Sequence, residues 1–271
     1  MNHRLINYLV GIYLFFYYVL WSVPPEGTWL LVAFILALAV SGVGLTLNWF
    51  SIDGAFSSLM IGTAALGLGQ WTGAVSLLIF VFGSYLCAYL LQSQSSSNLQ
   101  ERRTGRQIWS NGFWFTLGII LWSFTGELVW LVAAVGSITA AAADTMGTIT
   151  GSRAQNSNVV SILNFKQVPP GTDGGVSITG TFAALLISIV MGIAALFLLP
   201  EFNTLFPVII IIAGFSGCIV DSYFGAIFQY ANRAIRLPWY KSHGFYFTNN
   251  RVNIVATGWG ALLSLLLYQM I

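Results

Sequence analysis

Apolar runs of about 20 residues recur from one end of the chain to the other, each long enough to cross a ~30 Å hydrocarbon core as a helix. Nine candidate spans fall at about 5–23, 28–47, 54–70, 71–91, 108–125, 128–150, 177–199, 205–230 and 252–270. Of the 271 residues, 57% are hydrophobic and only 7% are charged. A soluble domain carries roughly 25% charged residues, so lipid must be the solvent for most of this chain. The expected fold class is therefore all-α: a polytopic membrane bundle of about nine helices, forming a single integral membrane domain over residues 1–271. The first run lacks a small-residue cleavage site and ends in Trp21-Ser22-Val23-Pro24-Pro25, which reads as a retained helix rather than a signal peptide.

The positions of the charges orient the bundle. With the N-terminus in the cytoplasm, Arg4, Arg102, Arg103, Arg106, Arg153, Lys166, Arg233, Arg236, Lys241 and Arg251 all fall on the cytoplasmic side, and these are all 10 Lys and Arg. The opposite loops carry only Glu26, Glu127 and Glu201. This satisfies the positive-inside rule without exception and predicts an external C-terminus. The Gly-rich run 54–70 is needed as a crossing to keep the basic loop at 102–106 on the side of Arg4; a re-entrant segment is the alternative. Gln92–Gln107 reads as a flexible connector. Cys87 and Cys218 lie inside apolar runs and are expected to be inert buried thiols, without a disulfide. His3 and His243, the 2 histidines, carry no catalytic signature.

Chemistry is expected where polar residues sit against this background. Asp144 follows Ala140-Ala141-Ala142-Ala143 near the inner end of the sixth span, and Asp221 occupies the matching place in the eighth. An acid facing lipid costs about 2.5–3.5 kcal/mol at a helix centre, so each should face protein, water or an ion. Small residues share the helix face of each acid, Gly136, Ala140, Gly147 and Gly151 with Asp144, and Gly214, Gly217 and Gly225 with Asp221. Between these spans lies Val168-Pro169-Pro170-Gly171-Thr172-Asp173-Gly174-Gly175-Val176-Ser177. Its backbone N–H groups can form an anion-binding nest, and its glycines permit a phosphate to approach closely. By itself such a turn is commonplace. Asp173 would repel an anion unless a cation intervened, which favours a nearby divalent metal. Asp53 reads as an N-cap or a further metal ligand. Asn249, Asn250 and Asn253 either cap the ninth span or read a polar ligand. Snorkelling accounts for Arg106 but not for Asn111, one turn deeper. No Walker-type loop, His-Glu-x-x-His or Gly-x-Ser-x-Gly elbow is present. Carboxylate-bound Mg²⁺ suits what remains.

Six blocks carry a family resemblance: Asp53-Gly54-Ala55, Arg106 to Gly112, Ala143-Asp144-Thr145, Val168 to Ser177, Val220-Asp221-Ser222-Tyr223-Phe224-Gly225-Ala226, and Asn249-Asn250-Arg251-Val252-Asn253. From about residue 40 onward the chain resembles the family of transmembrane protein 19, long known as domain of unknown function 92, leaving 1–39 as extra N-terminal spans. The characterised plant branch of that family is the phytyl-phosphate kinase of tocopherol synthesis. The resemblance implies transfer of a phosphoryl group from a nucleoside triphosphate, CTP foremost, to a prenyl monophosphate. Under that reading Asp144 and Asp221 hold Mg²⁺, helped by Asp53 or Asp173, while Arg106 and Lys241 neutralise charge. Pro170, Gly171, Thr172, Asp173, Gly174 and Gly175 cradle phosphate, and Asn111, Ser222, Asn249, Asn250 and Asn253 orient nucleotide or acceptor.

The chain departs from the family pattern at three places. Ile149 and Thr248 stand where the family usually has acids, and Asp173 stands where it has Asn, which bears on metal arrangement, nucleotide preference and activity itself. The rival readings are a lipid-phosphate or small-anion transporter or flippase, a prenol kinase or cytidylyltransferase-like enzyme, and a non-catalytic member of the family. Expected partners are the bilayer, prenyl monophosphate and nucleoside triphosphate. Nucleic acid is not expected, and self-association stays open. The expected location is a cell inner membrane or an equivalent internal membrane, with the site facing the cytoplasm.

Overall fold

The computed structural model describes residues 2–20, 26–91, 102–153, 158–201, 203–230 and 247–271. Nine helices occur among them: α1 (His3–Leu20), α2 (Glu26–Thr46), α3 (Ile52–Gly67), α4 (Gln70–Leu90), α5 (Gly105–Thr125), α6 (Leu128–Arg153), α7 (Ile178–Leu198), α8 (Phe206–Phe224) and α9 (Asn249–Tyr268). Each apolar run of the sequence is thus a helix, and the fold is an all-helical integral membrane bundle. Six helices among the described residues (α2, α4 and α6–α9) are long and apolar enough to cross a bilayer. The other three fall short for local reasons. His3, Arg4 and Asn7 open α1, and Arg106, Gln107 and Asn111 open α5. The third helix is only 16 residues long, because a corner at Leu68-Gly69 ends it and starts α4. At about 1.5 Å per residue it extends about 24 Å. It runs antiparallel to α2 and reaches the opposite end, where Trp29 Nε1 donates to the Leu66 carbonyl at 3.0 Å. It is therefore a full-length partner of α2 rather than a half-helix that turns back.

The core is organised around α6, which packs against α4, α5, α7, α8 and α9. A helix with neighbours on every side needs apolar or small residues all round. Leu131, Val132, Ala134, Ile138, Ala140, Ala142 and Ala143 meet that need and are enclosed. Its contact with α9 is glycine on glycine: a Cβ at Gly260 would lie 2.7 Å from the Gly136 carbonyl oxygen. On the periphery, Asn7 of α1 donates to Ser57 Oγ at 3.2 Å and accepts from Trp109 Nε1 at 2.7 Å. That buried network satisfies polar groups that lipid could not.

Capping places the helix starts. Thr104 and Gln107 form a capping box on α5, and Ser177 accepts from the Gly180 N–H at the start of α7. A bridge between Phe50 and Arg103 ties the segment before α3 to the segment before α5.

Before α7 the chain forms an antiparallel ladder, β1 (Val160–Ser161) against β2 (Gly175–Val176), with Val160 also bridged to Gln167. Two-residue strands inside a Pro- and Gly-rich loop leave no alternating pattern, and the sequence did not suggest them. The ladder forms a cap that rests on a π-helical turn, Gly225–Tyr230, continuing α8. Gly174 makes that contact. Its φ is +74°, and a Cβ there would collide with the backbone and side chain of Ala226.

Gly260→Leu is expected to force α6 and α9 apart at a cost of about 1–3 kcal/mol. The unfolding temperature of the detergent-purified protein should fall; an unchanged value would contradict the close crossing. Gly174→Ala adds a left-handed strain of about 1–2 kcal/mol to the clash with Ala226. Hydrogen exchange across the cap should rise while α6 and α8 keep their protection.

Candidate functional site

One end of the bundle encloses a cavity of about 370 Å³, bounded by the last turns of α6 and α8, the first turns of α5, α7 and α9, and the cap. Residues far apart in sequence meet there because the helices alternate in direction: two end and three begin at the same level.

Asp144 and Asp221 lie at the floor. The small stripes on α6 and α8 let the two helices pack closely, and this brings the two carboxyl groups within hydrogen-bonding reach of each other. Asp221 is 9% exposed. Two carboxylates this close repel unless a proton or a cation lies between them, and the low dielectric of a bundle sharpens that repulsion. Cys218, one turn before Asp221, also lines the cavity; both cysteines are unpaired, as expected.

An amide relay joins α9 to α5. The side chains of Asn253 and Asn111 are 2.9 Å apart. With the Asn253 amide turned to the orientation that satisfies both of its ends, its NH₂ donates to the Asn249 carbonyl at 2.9 Å and to Asp221 Oδ2 at 3.3 Å. Thr257 supports the relay from below, its Oγ1 donating to the Asn253 carbonyl at 2.7 Å. Asn249, Asn250 and Ser222 face the same cavity.

The cap supplies the roof through Gly171, Thr172, Asp173, Gly174 and Gly175. Positive φ at Gly171 (+82°) and Gly174 (+74°) turns the chain. Gly175 N–H closes a turn on the Thr172 carbonyl at 2.8 Å, whereas the N–H groups of Gly171, Asp173 and Gly174 have no hydrogen-bond partner among the described residues. This is the raw material of an anion nest. Burial pushes the Asp173 carboxyl up from its ordinary value, and its charge is felt at Asp221.

Three expected site residues among the described residues are not brought into this cavity. Asp53 instead ties helix starts together: its Oδ2 accepts from the Gly105 N–H at 2.8 Å and lies 3.4 Å from His3 Nε2, while Oδ1 accepts from Ser51 Oγ at 2.6 Å. A carboxylate so placed at the N-terminus of α5 serves as a cap, and it does not line the cavity. Arg106 is exposed, because the five residues from it to Asn111 turn the helix face by about 140°. Pro170 lies exposed at the outer edge of the cap. Lys241 lies outside the described residues.

The cation that does line the cavity is Arg103. Its backbone is fixed by the bridge to Phe50, and its guanidinium lies over two rings of α4, 5.8 Å from the centre of Phe80 and 5.3 Å from that of Tyr85. Trp49 stacks on Tyr85 at 4.2 Å and completes the platform. Sequence reasoning missed it, although it stands three residues from Arg106 in the same basic run. Gln107 and Thr145, which stand in the resembling blocks but were given no role, also line the cavity.

Among the described residues no three His, Cys, Asp or Glu converge to hold a metal. The donor set is two carboxylates with amides around them. That set fits Mg²⁺, which is commonly held by one or two carboxylates and completes its shell with water and substrate phosphates.

A family model for the integral membrane protein DUF92 matches residues 30–261. The chain is 26% identical over 218 residues to the uncharacterized membrane protein MJ0933 of Methanocaldococcus jannaschii, covering 80% of this chain and 84% of that one. It is 28% identical over 244 residues to the uncharacterized membrane protein sll0875 of Synechocystis, covering 86% and 87%. No solved structure matches it significantly. The match to the family model takes in every element that builds the cavity, and the chain belongs to the DUF92 family of integral membrane proteins.

Proposed function

We propose that the protein is a membrane-embedded prenyl-phosphate kinase. It transfers a phosphoryl group from a nucleoside triphosphate, CTP foremost, to phytyl or a related prenyl monophosphate. The observation that carries this reading is the pair of touching carboxyls, Asp144 and Asp221, at the floor of a cavity roofed by unpartnered glycine N–H groups. An oxygen of the acceptor phosphate attacks the γ-phosphorus, the bond to the β-phosphate oxygen breaks, and prenyl diphosphate and nucleoside diphosphate result. A phosphate monoester is already anionic at neutral pH, so no strong general base is needed; positioning and charge neutralisation supply the catalysis. No histidine lines the cavity among the described residues, in keeping with that requirement.

Asp144 and Asp221 would hold Mg²⁺, which when bound neutralises charge on the triphosphate. The N–H groups of Gly171, Asp173 and Gly174 would receive phosphate oxygens, Arg103 would oppose anionic charge from the far wall, and the Asn111–Asn253 relay would orient a bound group. In this reading all nine helices cross the membrane, and the cavity and N-terminus face the cytoplasm, where nucleotide is available. Transport is disfavoured by the opposite half of the bundle. There α6 and α8 present Leu131, Val132, Val135, Ile210 and Ala213, all buried and apolar, and none of them lines the cavity.

Purified protein supplied with geranylgeranyl or phytyl monophosphate, Mg²⁺ and each nucleoside triphosphate in turn is expected to yield the diphosphate, and chelation of Mg²⁺ to abolish it. Absence of product with every pair overturns the kinase reading and makes lipid-phosphate transport the next measurement. Asp144→Asn and Asp221→Asn should each lower turnover by about 10²-fold or more. Asp53→Ala is expected to lower thermal stability by about 1–2 kcal/mol through the lost cap and to leave turnover within a few-fold. Near-normal turnover in both floor variants would remove the assignment.

A further inference from the structure

We propose that the apolar chain of the lipid substrate leaves the cavity on the Arg103 side and lies in a second, narrow slot between α3, α4, α5 and α6. The proposal rests on the reading of the acceptor as a lipid monophosphate and specifies where its chain runs. The slot has a volume of about 50 Å³ and is walled by Ile61, Leu77, Phe80, Val81 and Ile138. It meets the polar cavity at three residues common to both linings, Arg103, Gln107 and Asn111.

The order of these groups matches the order of groups in the ligand. A lipid phosphate is a dianionic head joined directly to a chain, and each methylene of that chain gains about 0.8 kcal/mol by leaving a polar site for an apolar one. Arg103 stands at the boundary, its guanidinium held over Phe80 and Tyr85. Phe80 is therefore both the platform for the cation and a wall of the slot. A phosphate gripped by Arg103 has its first carbons at the slot mouth, with Asn111 and Gln107 alongside the head. The slot is narrow because α3 and α5 approach closely: a Cβ on Gly112 would lie 2.6 Å from Ile61 Cδ1. A narrow slot accepts an unbranched or singly methylated chain and excludes a fused-ring lipid. Ser58, Leu77 and Val81 are only half-buried and form its outer rim, from which a long chain passes into the bilayer.

The test uses the full chain in lipid nanodiscs with a prenyl monophosphate carrying a diazirine in its first isoprenoid unit. After photolysis, adducts are mapped by peptide mass spectrometry. The expected adducts fall on Ile61, Leu77 and Val81. They should be displaced by geranylgeranyl monophosphate but not by the corresponding alcohol, and should fall at least about tenfold in Arg103→Gln, as loss of a charged hydrogen-bond donor implies. Ser58→Phe, at the rim and away from the head, should block labelling while the protein keeps its unfolding temperature. Adducts on Thr181, Phe215 or Ile219, which line the cavity toward α7 and α8, overturn the proposal, as does labelling that is absent or indifferent to the competitor. Diphosphate formation is measured on the same preparation. Labelled slot without product refutes the kinase and keeps the slot, whereas product with labelling toward α7 and α8 refutes the slot and keeps the kinase.

Discussion

A helix that touches five others has no side left for lipid, and the rest of this bundle is arranged around that constraint on α6. Its middle carries only small or apolar groups, so neighbours can approach until backbone meets backbone, as at Gly136 and Gly260. Close approach is what brings Asp144 and Asp221 together. Were α6 lined with Leu and Phe, helix axes would sit farther apart and the two carboxyls could not share one proton or one cation. Tight packing in the outer half and a polar opening in the inner half are therefore two consequences of the same small-residue composition.

The cavity is the place where that closeness is relaxed. Helix ends there diverge enough to admit about 370 Å³ of space, and the groups around it divide by origin. The Asp144 and Asp221 carboxylates come from the later parts of helices, the asparagine amides from helix starts, backbone N–H groups and the Asp173 carboxylate from the cap, and a guanidinium from the segment before α5. The departures from the family pattern can be located against this arrangement. Ile149 lines the cavity, so the missing acid leaves an apolar patch within it. Thr248 occupies the N-cap position of α9 without a side-chain capping bond. Asp173 sits in the roof, where its charge is felt at Asp221. Two acids are thus absent from helix positions and one stands in the cap, which leaves the region one negative charge short of the pattern that the resemblance implies.

Much of this was legible in the sequence because membrane helices announce themselves by hydropathy and intramembrane acids by their cost. The nine apolar runs, the meeting of Asp144 with Asp221, the Gly171–Gly175 turn and the polar starts of α5 and α9 all follow from residue type and helical spacing. What stayed hidden depends on contacts between distant segments. Arg103 and Arg106 are equivalent in a basic run until the bridge to Phe50 turns one inward and helix phase turns the other out. Asp53 read as a cap or a ligand; it accepts from Ser51 beside it and from Gly105 at the start of α5, and nothing near Asp53 in sequence foretells that Gly105 would lie there. The β1–β2 ladder is too short to carry a period.

The seat of Gly174 on the π-helical turn has a consequence for how such a sequence can vary. The cap and the end of α8 are 50 residues apart in the chain, yet at this point each excludes the volume of the other, since even one methyl at position 174 would overlap Ala226. A side chain at position 174 therefore requires the cap to lift, while α8 keeps its course. No change of side chain at 226 relieves this overlap, because it includes the backbone nitrogen and Cα of that residue, and the φ of +74° at 174 favours glycine in any case; a cap exchanged between two such chains keeps its seat only where that glycine is kept.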